Sequence, residues 1–157
     1  MMKKGKSNFT VSISYDKRLY DYDIRGSLAH VHMLSKVGII NESDANEIKK
    51  GLDLIRKEIE SDQFPWHADF EDVHMNIEKR LTEIIGDVAG QIHTARSRND
   101  QVITDFKLWI KRSSKQVIEN LNDLIKNFIK KAESNIETIM PGFTHLKNAQ
   151  PISFAHY

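Results

Sequence analysis

Cysteine is absent from the 157 residues. That excludes a disulfide framework, a thiolate metal site and a cysteine nucleophile, and it fits a reducing compartment. Long hydrophobic runs are missing as well: nowhere do about eighteen apolar residues follow one another, and the basic opening MMKKGKSNFT leads into no apolar signal-peptide core. A soluble cytoplasmic protein with no membrane association is the expectation. Neither charge dominates, since 23 Lys and Arg stand against 22 Asp and Glu for a net charge of +1. Such balance argues against nucleic acid or an anionic membrane as partner and for a small polar ligand or another protein. Strand patterning is scarce; only FTVSISY alternates, with Phe9, Val11, Ile13 and Tyr15 against polar residues.

Helical spacing fills most of the chain. Behind a polar lead-in over residues 1–9, Ile24, Leu28, Val31, Leu34 and Val37 recur by three and four, and Gly38 is placed to end that helix. Asn41 and Ser43 offer caps for a second, in which Ala45, Ile48, Leu52, Ile55 and Ile59 form one face. A loop holding Pro65 follows, then a third helix marked by Val73, Ile77, Leu81, Ile84 and Val88 that weakens near Gly86 and Gly90. Between Gln91 and Met140 there is neither proline nor glycine, and Ile103, Phe106, Ile110, Val117, Leu121, Leu124 and Phe128 fall at steps of three, four or seven. One helix of roughly 40 residues, about 60 Å long, is expected there, broken at Pro141-Gly142 where another element begins. The fold class is mainly α. Two parts are expected, an N-terminal helical domain over 1–92 and the start of a helical bundle over 93–157. The long apolar seam exceeds what the shorter helices can cover, which points to association with other helices or to a longer natural chain.

Three polar clusters could carry chemistry. In HTARSRNDQ, Arg96 and Arg98 are cationic forks suited to carboxylate or phosphate, Ser97 and Asn99 add neutral hydrogen bonds, and the adjacent helix start adds exposed N–H groups. The structural alternative is that Ser97 or Asn99 caps the helix, Asp100 complements its dipole and the arginines are solvated. In PGFTHLKNAQP, His145 follows Thr144 just after a backbone break, and an imidazole there is able to transfer protons near neutral pH, or simply to lie on the surface. In SISYD, read as extended, Ser12, Ser14 and Asp16 line one face. A metal site is not expected: His30 and His32 would diverge by about 200° on a helix, and His74, close to Glu71 and Asp72, has no second histidine four residues away.

Taken in order, SISYDKRLYDYDIRGSLAH, EDVHMNIEKRLTEIIGDVAGQIHTARSRNDQVITDFKLW and MPGFTHLKNAQPISFAHY resemble the N-terminal portion of the argininosuccinate lyase and delta crystallin family, within the fumarase and aspartase superfamily. The likeness runs from about Phe9 onward, and the Arg-Ser-Arg-Asn-Asp-Gln run is quite specific to this branch. It implies cleavage of argininosuccinate to arginine and fumarate by β-elimination, with no cofactor and no metal, in a homotetramer built on a helical bundle.

By that resemblance Ser12 and Asp16 help hold the substrate, Asp16 suiting its cationic end. Ser97, Arg98 and Asn99 grip the fumarate-forming part, Thr144 contacts substrate, and His145 is the candidate for proton handling. His74 and Arg96 are lesser candidates. Three departures accompany the likeness. Ala95 stands where the family has glycine, and if that position needs positive φ the alanine is strained by roughly 1 kcal/mol. The family's opening Leu-Trp-Gly-Gly-Arg-Phe has no counterpart before Phe9. The chain ends at Tyr157, ahead of the family's Gly-Ser-Ser loop, whose serine is the favoured base, so this chain is expected to be a fragment with about half of a site and no normal turnover alone. The alternatives are a catalytically silent, crystallin-like structural protein and a related lyase acting on another succinyl substrate, such as adenylosuccinate lyase.

Overall fold

The structure is a computed structural model that describes residues 10–157. Its elements run α1 (Ile13–Asp16), α2 (Tyr20–Lys36), α3 (Glu42–Glu60), α4 (Val73–Ile85), α5 (Arg98–Glu133), β1 (Ile139–Thr144) and β2 (Lys147–Ser153), with 3₁₀ turns at Lys17–Leu19, Ala68–Phe70 and Gly86–His93. The mainly helical class read from the sequence is what forms.

Two compact units divide the chain, Met1–Ile110 and Lys111–Tyr157. This division falls inside α5, whereas the sequence reading places its change of character after Ile92. The first turns of α5 count with the N-terminal unit because Gln101 and Asp105 are buried in it.

In the first unit the apolar faces of three helices meet. Ile24 and Leu34 of α2, Ile48, Leu52 and Ile55 of α3, and Val73, Ile77 and Leu81 of α4 are fully buried, joined by Ile92. The helix ends follow the expected chemistry. Gly38, at φ +75°, takes the left-handed conformation that ends α2, and Asn41 caps α3 by accepting from Asp44 N at 2.7 Å. Asp72 caps α4 in the same way, accepting from Met75 N at 2.7 Å.

Two expectations need correction. The FTVSISY alternation does not make an extended segment; Phe9 lies outside the described residues, and Ile13–Asp16 is a helical turn. A strand needs a neighbour for its backbone groups. Here the N–H groups of Ser12 and Ile13 both donate to Glu71 O, at 2.9 and 3.0 Å, and the Ser12 hydroxyl donates to Asp16 across one turn at 2.6 Å. Second, the long helix is 36 residues, about 54 Å at 1.5 Å per residue, and starts only at Arg98 because Gly86–His93 winds as 3₁₀.

The second unit holds the remainder of α5 and a hairpin that the sequence did not announce. Strands β1 and β2 pair antiparallel, with Pro141 opposite Pro151 and an irregular register between Pro141 and Phe143. Gly142 is required there, since a Cβ would stand 2.8 Å from Gln150 O. The turn residues His145 and Leu146 both have positive φ, 48° and 62°. Two-residue hairpin turns of this kind are normally signalled by Asn-Gly or Asp-Gly, and neither is present. Along α5, Val117, Leu121, Leu124 and Phe128 remain about half exposed or more, so the seam is uncovered among the described residues.

Candidate functional site

Four elements of the first unit bring polar side chains to one place. The short α1 presents Ser12 and Asp16 on one face. The Asp16 carboxylate, besides accepting from Ser12, lies 3.4 Å from Val73 N at the start of α4. Burial raises its pKa, against these hydrogen bonds. One residue on is His74, whose Nδ1 lies 3.0 Å from Asp23 Oδ1 of α2 and 3.6 Å from Asp105 Oδ2 of α5. Gln101 Nε2, one turn before Asp105, donates to the same Asp23 oxygen.

The Asp23, His74 and Asp105 side chains are at most 3% exposed. Desolvation opposes ionisation of Asp23, but the hydrogen bonds and charge of His74, with Gln101 and Arg96, outweigh it and lower the Asp23 pKa. Desolvation likewise works against the charged His74 ring, and Asp23 with Asp72 and Asp105 outweighs it and raises the pKa. Asp105 goes the other way: burial, then the charge of Asp23, pushes its carboxyl up to about 8. Two carboxylates in one dry site cannot both ionise cheaply.

A cleft of about 490 Å³ opens beside this cluster. Ser12, Asp16, Arg18, Asp72 and His74 give it a polar side, and Val102, Phe106 and Trp109 of α5 an apolar one. Such a mixture suits a small ligand with charged ends.

The Arg-Ser-Arg-Asn run splits into two sets. Arg96 and Arg98 turn inward. Both terminal nitrogens of Arg96 lie 3.2 Å from Ser27 Oγ, and Arg98 grips Glu78 with two bonds of 2.8 and 2.7 Å while also donating to Gln101. The fork read as a ligand receptor therefore already holds an internal carboxylate. Ser97 and Asn99 face outward and are exposed; Ser97 Oγ accepts from Asn99 N at 3.2 Å, a local contact of the capping kind. Thr144 and His145 belong to the second unit, at the exposed turn of its hairpin.

Ala95 has φ +54°, so the strain anticipated for an alanine here is present. Ala95→Gly is expected to raise stability by about 1 kcal/mol in urea unfolding, because glycine adopts this conformation without the Cβ clash. A loss of stability would show that the loop tolerates alanine and that the larger unfolded-state entropy of glycine dominates.

Reading the sequence missed Asp23, Gln101 and Asp105. A signal existed: Arg98, Gln101 and Asp105 repeat by three and four, a polar stripe on one face of α5. Asp23, His74 and Asp105 also place three possible ligand atoms within 4.8 Å of one another, a spacing a cation could span. The His74 nitrogen involved is already hydrogen-bonded to Asp23, and the Arg96 charge acts on both carboxyls. The arrangement is that of a hydrogen-bonded charge cluster more than of an ion cage.

A lyase family profile matches residues 3–157 of the chain. The chain is 58% identical over 146 residues to an argininosuccinate lyase of Pelagibacter ubique, covering 93% of this chain and 32% of that protein. It is 51% identical over 146 residues to an argininosuccinate lyase of Bartonella bacilliformis, covering 93% and 31%. Among solved structures, an EDDS lyase variant with bound fumarate superposes with a TM-score of 0.74 at 28% identity, over 88% of this chain and 27% of that one. The chain spans about a third of the length of the curated relatives it matches.

Proposed function

Because the chain belongs to the lyase family whose profile covers residues 3–157, we propose that it is the N-terminal third of an argininosuccinate lyase, cleaving argininosuccinate to arginine and fumarate. The observation that carries this reading is the 58% identity to the Pelagibacter ubique enzyme across 93% of the chain. The working form is a cytoplasmic homotetramer that requires neither metal nor cofactor. No helix among the described residues is long and apolar enough to cross a membrane.

The reaction removes a proton from the carbon beside a carboxylate, gathers negative charge on that carboxylate and expels a guanidinium nitrogen. It needs fixed donors around the charge and an acid and base to move protons. Asp16, with Ser12 beside it, takes the cationic arginine end at the polar wall of the cleft. Ser97, Asn99 and Thr144 donate to the fumarate-forming end, and Arg98 serves that end once its hold on Glu78 is exchanged for the ligand. His145 handles a proton, while His74 and Arg96 complete the lining.

A second reading, a catalytically silent assembly protein, draws on the exposed seam of Val117, Leu121, Leu124 and Phe128. Fumarate formation, followed by its ultraviolet absorbance, separates the readings when the natural protein containing this chain is given argininosuccinate and adenylosuccinate in turn. Release from argininosuccinate alone supports the proposal. Release only from adenylosuccinate overturns the substrate, and release from neither leaves assembly as the function. In the active protein Asn99→Ala is expected to lower kcat/KM about tenfold, as loss of one hydrogen bond to a charged group would.

A further inference from the structure

Two buried carboxyls have no place in the proposed reaction, yet they meet the one imidazole that lines the cleft. We propose that Asp23 and Asp105 share a single proton and act as positioning residues for His74, fixing Nδ1 inward so that Nε2 is the nitrogen offered to a ligand carboxylate.

The geometry carries the proposal. Asp23 comes from α2, His74 from α4 and Asp105 from α5, so the trio ties three helices together, with His74 as the member that borders the cleft. With Nδ1 held by Asp23 at 3.0 Å and His74 bordering the cleft, Nε2 is the ring atom left for a ligand. Asp23 Oδ2 and Asp105 Oδ2 are both buried with no hydrogen-bond donor. The Asp23 and Asp105 carboxyls converge on His74 with oxygens within 4.8 Å of one another, and a proton held between the two supplies the missing donor. Space around Asp105 is tight, since a Cβ on Gly26 would lie 3.2 Å from its Oδ1.

The surrounding charges fit one shared proton. Facing Asp105 are Asp23, His74 and Arg96, and facing His74 are also Asp72 and Asp16. Glu78 is committed to Arg98 and His93. One carboxylate with a protonated partner therefore stands against the imidazolium and Arg96, and His74 stays charged and able to donate through Nε2. The ligand carboxylate in this assignment rests on the lyase reading; the shared proton does not.

The test is nuclear magnetic resonance on the natural protein containing this chain, isotopically labelled at aspartate and histidine. In the wild-type protein the Asp105 ¹³Cγ resonance is expected to titrate near pH 8, and in Asp23→Asn its midpoint should fall by at least two pH units as the like-charged neighbour disappears. An ordinary carboxylate midpoint in the wild type, which needs no variant to fold, overturns the shared proton; so does a midpoint that Asp23→Asn leaves within half a unit. Fumarate added at pH 7 is expected to move the His74 ¹⁵Nε2 resonance more than ¹⁵Nδ1. If Asp105 titrates near pH 8 and fumarate moves neither nitrogen, the ligand assignment is overturned while the pair stands. If fumarate moves Nε2 and Asp105 titrates normally, the reverse holds.

Discussion

Asp23→Ala is expected to destabilise the first unit by about 3 kcal/mol in urea unfolding at pH 7, because it strips the charge partner from buried cations and leaves donors unmatched. Its carboxylate takes hydrogen bonds from His74 and Gln101 and also faces Arg96. Part of the loss is recovered by Asp105. Relieved of its like-charged neighbour, that carboxyl ionises more readily and turns to His74, 3.6 Å away. The double variant Asp23→Ala/Asp105→Asn removes this reserve and should lose more than the sum of the two single changes, as contacting residues do. A useful control is Asp21, two residues earlier, which pairs with Arg25 at 3.8 Å and Arg56 at 3.4 Å nearer the surface. Asp21→Ala is expected to cost at most about 1 kcal/mol. A cost below about 1 kcal/mol for Asp23→Ala would mean that the cluster is hydrated.

Stability should also decline as pH rises from 6 to 8, by about 1.4 kcal/mol per pH unit for each extra proton the folded state holds, or about 2.3 kcal/mol in all from Asp105, which is itself half ionised in the folded state at pH 8. The sign follows from which state binds the proton. Asp105 has an unfolded value of 3.8 and a folded value of about 8. Between those limits the folded protein retains a proton the unfolded chain has released, so raising pH favours unfolding. His74 acts in the same direction: with its folded pKa raised above 6.5, its contribution is complete below 6.5 and lost as pH passes the folded value. Asp23, held below 3.8, contributes above 3.8 and loses its contribution as pH falls through its folded value. Denaturant midpoints measured at pH 6, 7 and 8 check this. Asp105→Asn should flatten most of the slope, leaving the share due to His74; an unchanged slope would assign the effect to other groups.

How much of this was legible in the residues differs by element. The helices α2 to α4 were readable because each carries an apolar face at helical spacing and a local stop or cap, Gly38 and Asn41 among them. Such signals need no knowledge of distant residues. The hairpin was not readable, because its turn places His145 and Leu146 where Asn or Gly usually gives the cue, and the register of Pro141 against Pro151 depends on tertiary pairing. Ser12–Asp16 misled in the opposite way. Its alternation is real, but its N–H groups bond to Glu71, some sixty residues away, and not to a strand.

The candidate site was half legible for a similar reason. Ser12, Asp16, His74, Arg96 and Arg98 stood out by motif and do gather in the first unit. Their partners Asp23, Ser27, Glu78 and Asp105 did not stand out, since a polar residue on an inward helix face acquires meaning only when the opposite wall is known. The arginines show this most clearly. Read alone, Arg98 is a vacant fork; in the folded chain Glu78, twenty residues earlier, fills it.

The apolar seam of α5 has one more consequence. Ile103, Ile110, Val117 and Leu124 recur every seven residues without a slip, and each is about 40% exposed or more. A straight α-helix completes two turns in slightly more than seven residues, so such a row drifts around the cylinder by about 20° per repeat. Any second helix that keeps contact with all four residues must follow that drift, and the pair would wind about each other in a left-handed sense, crossing at a shallow angle of about 20°. The handedness of whatever lies against α5 is thus already written in the spacing of four side chains.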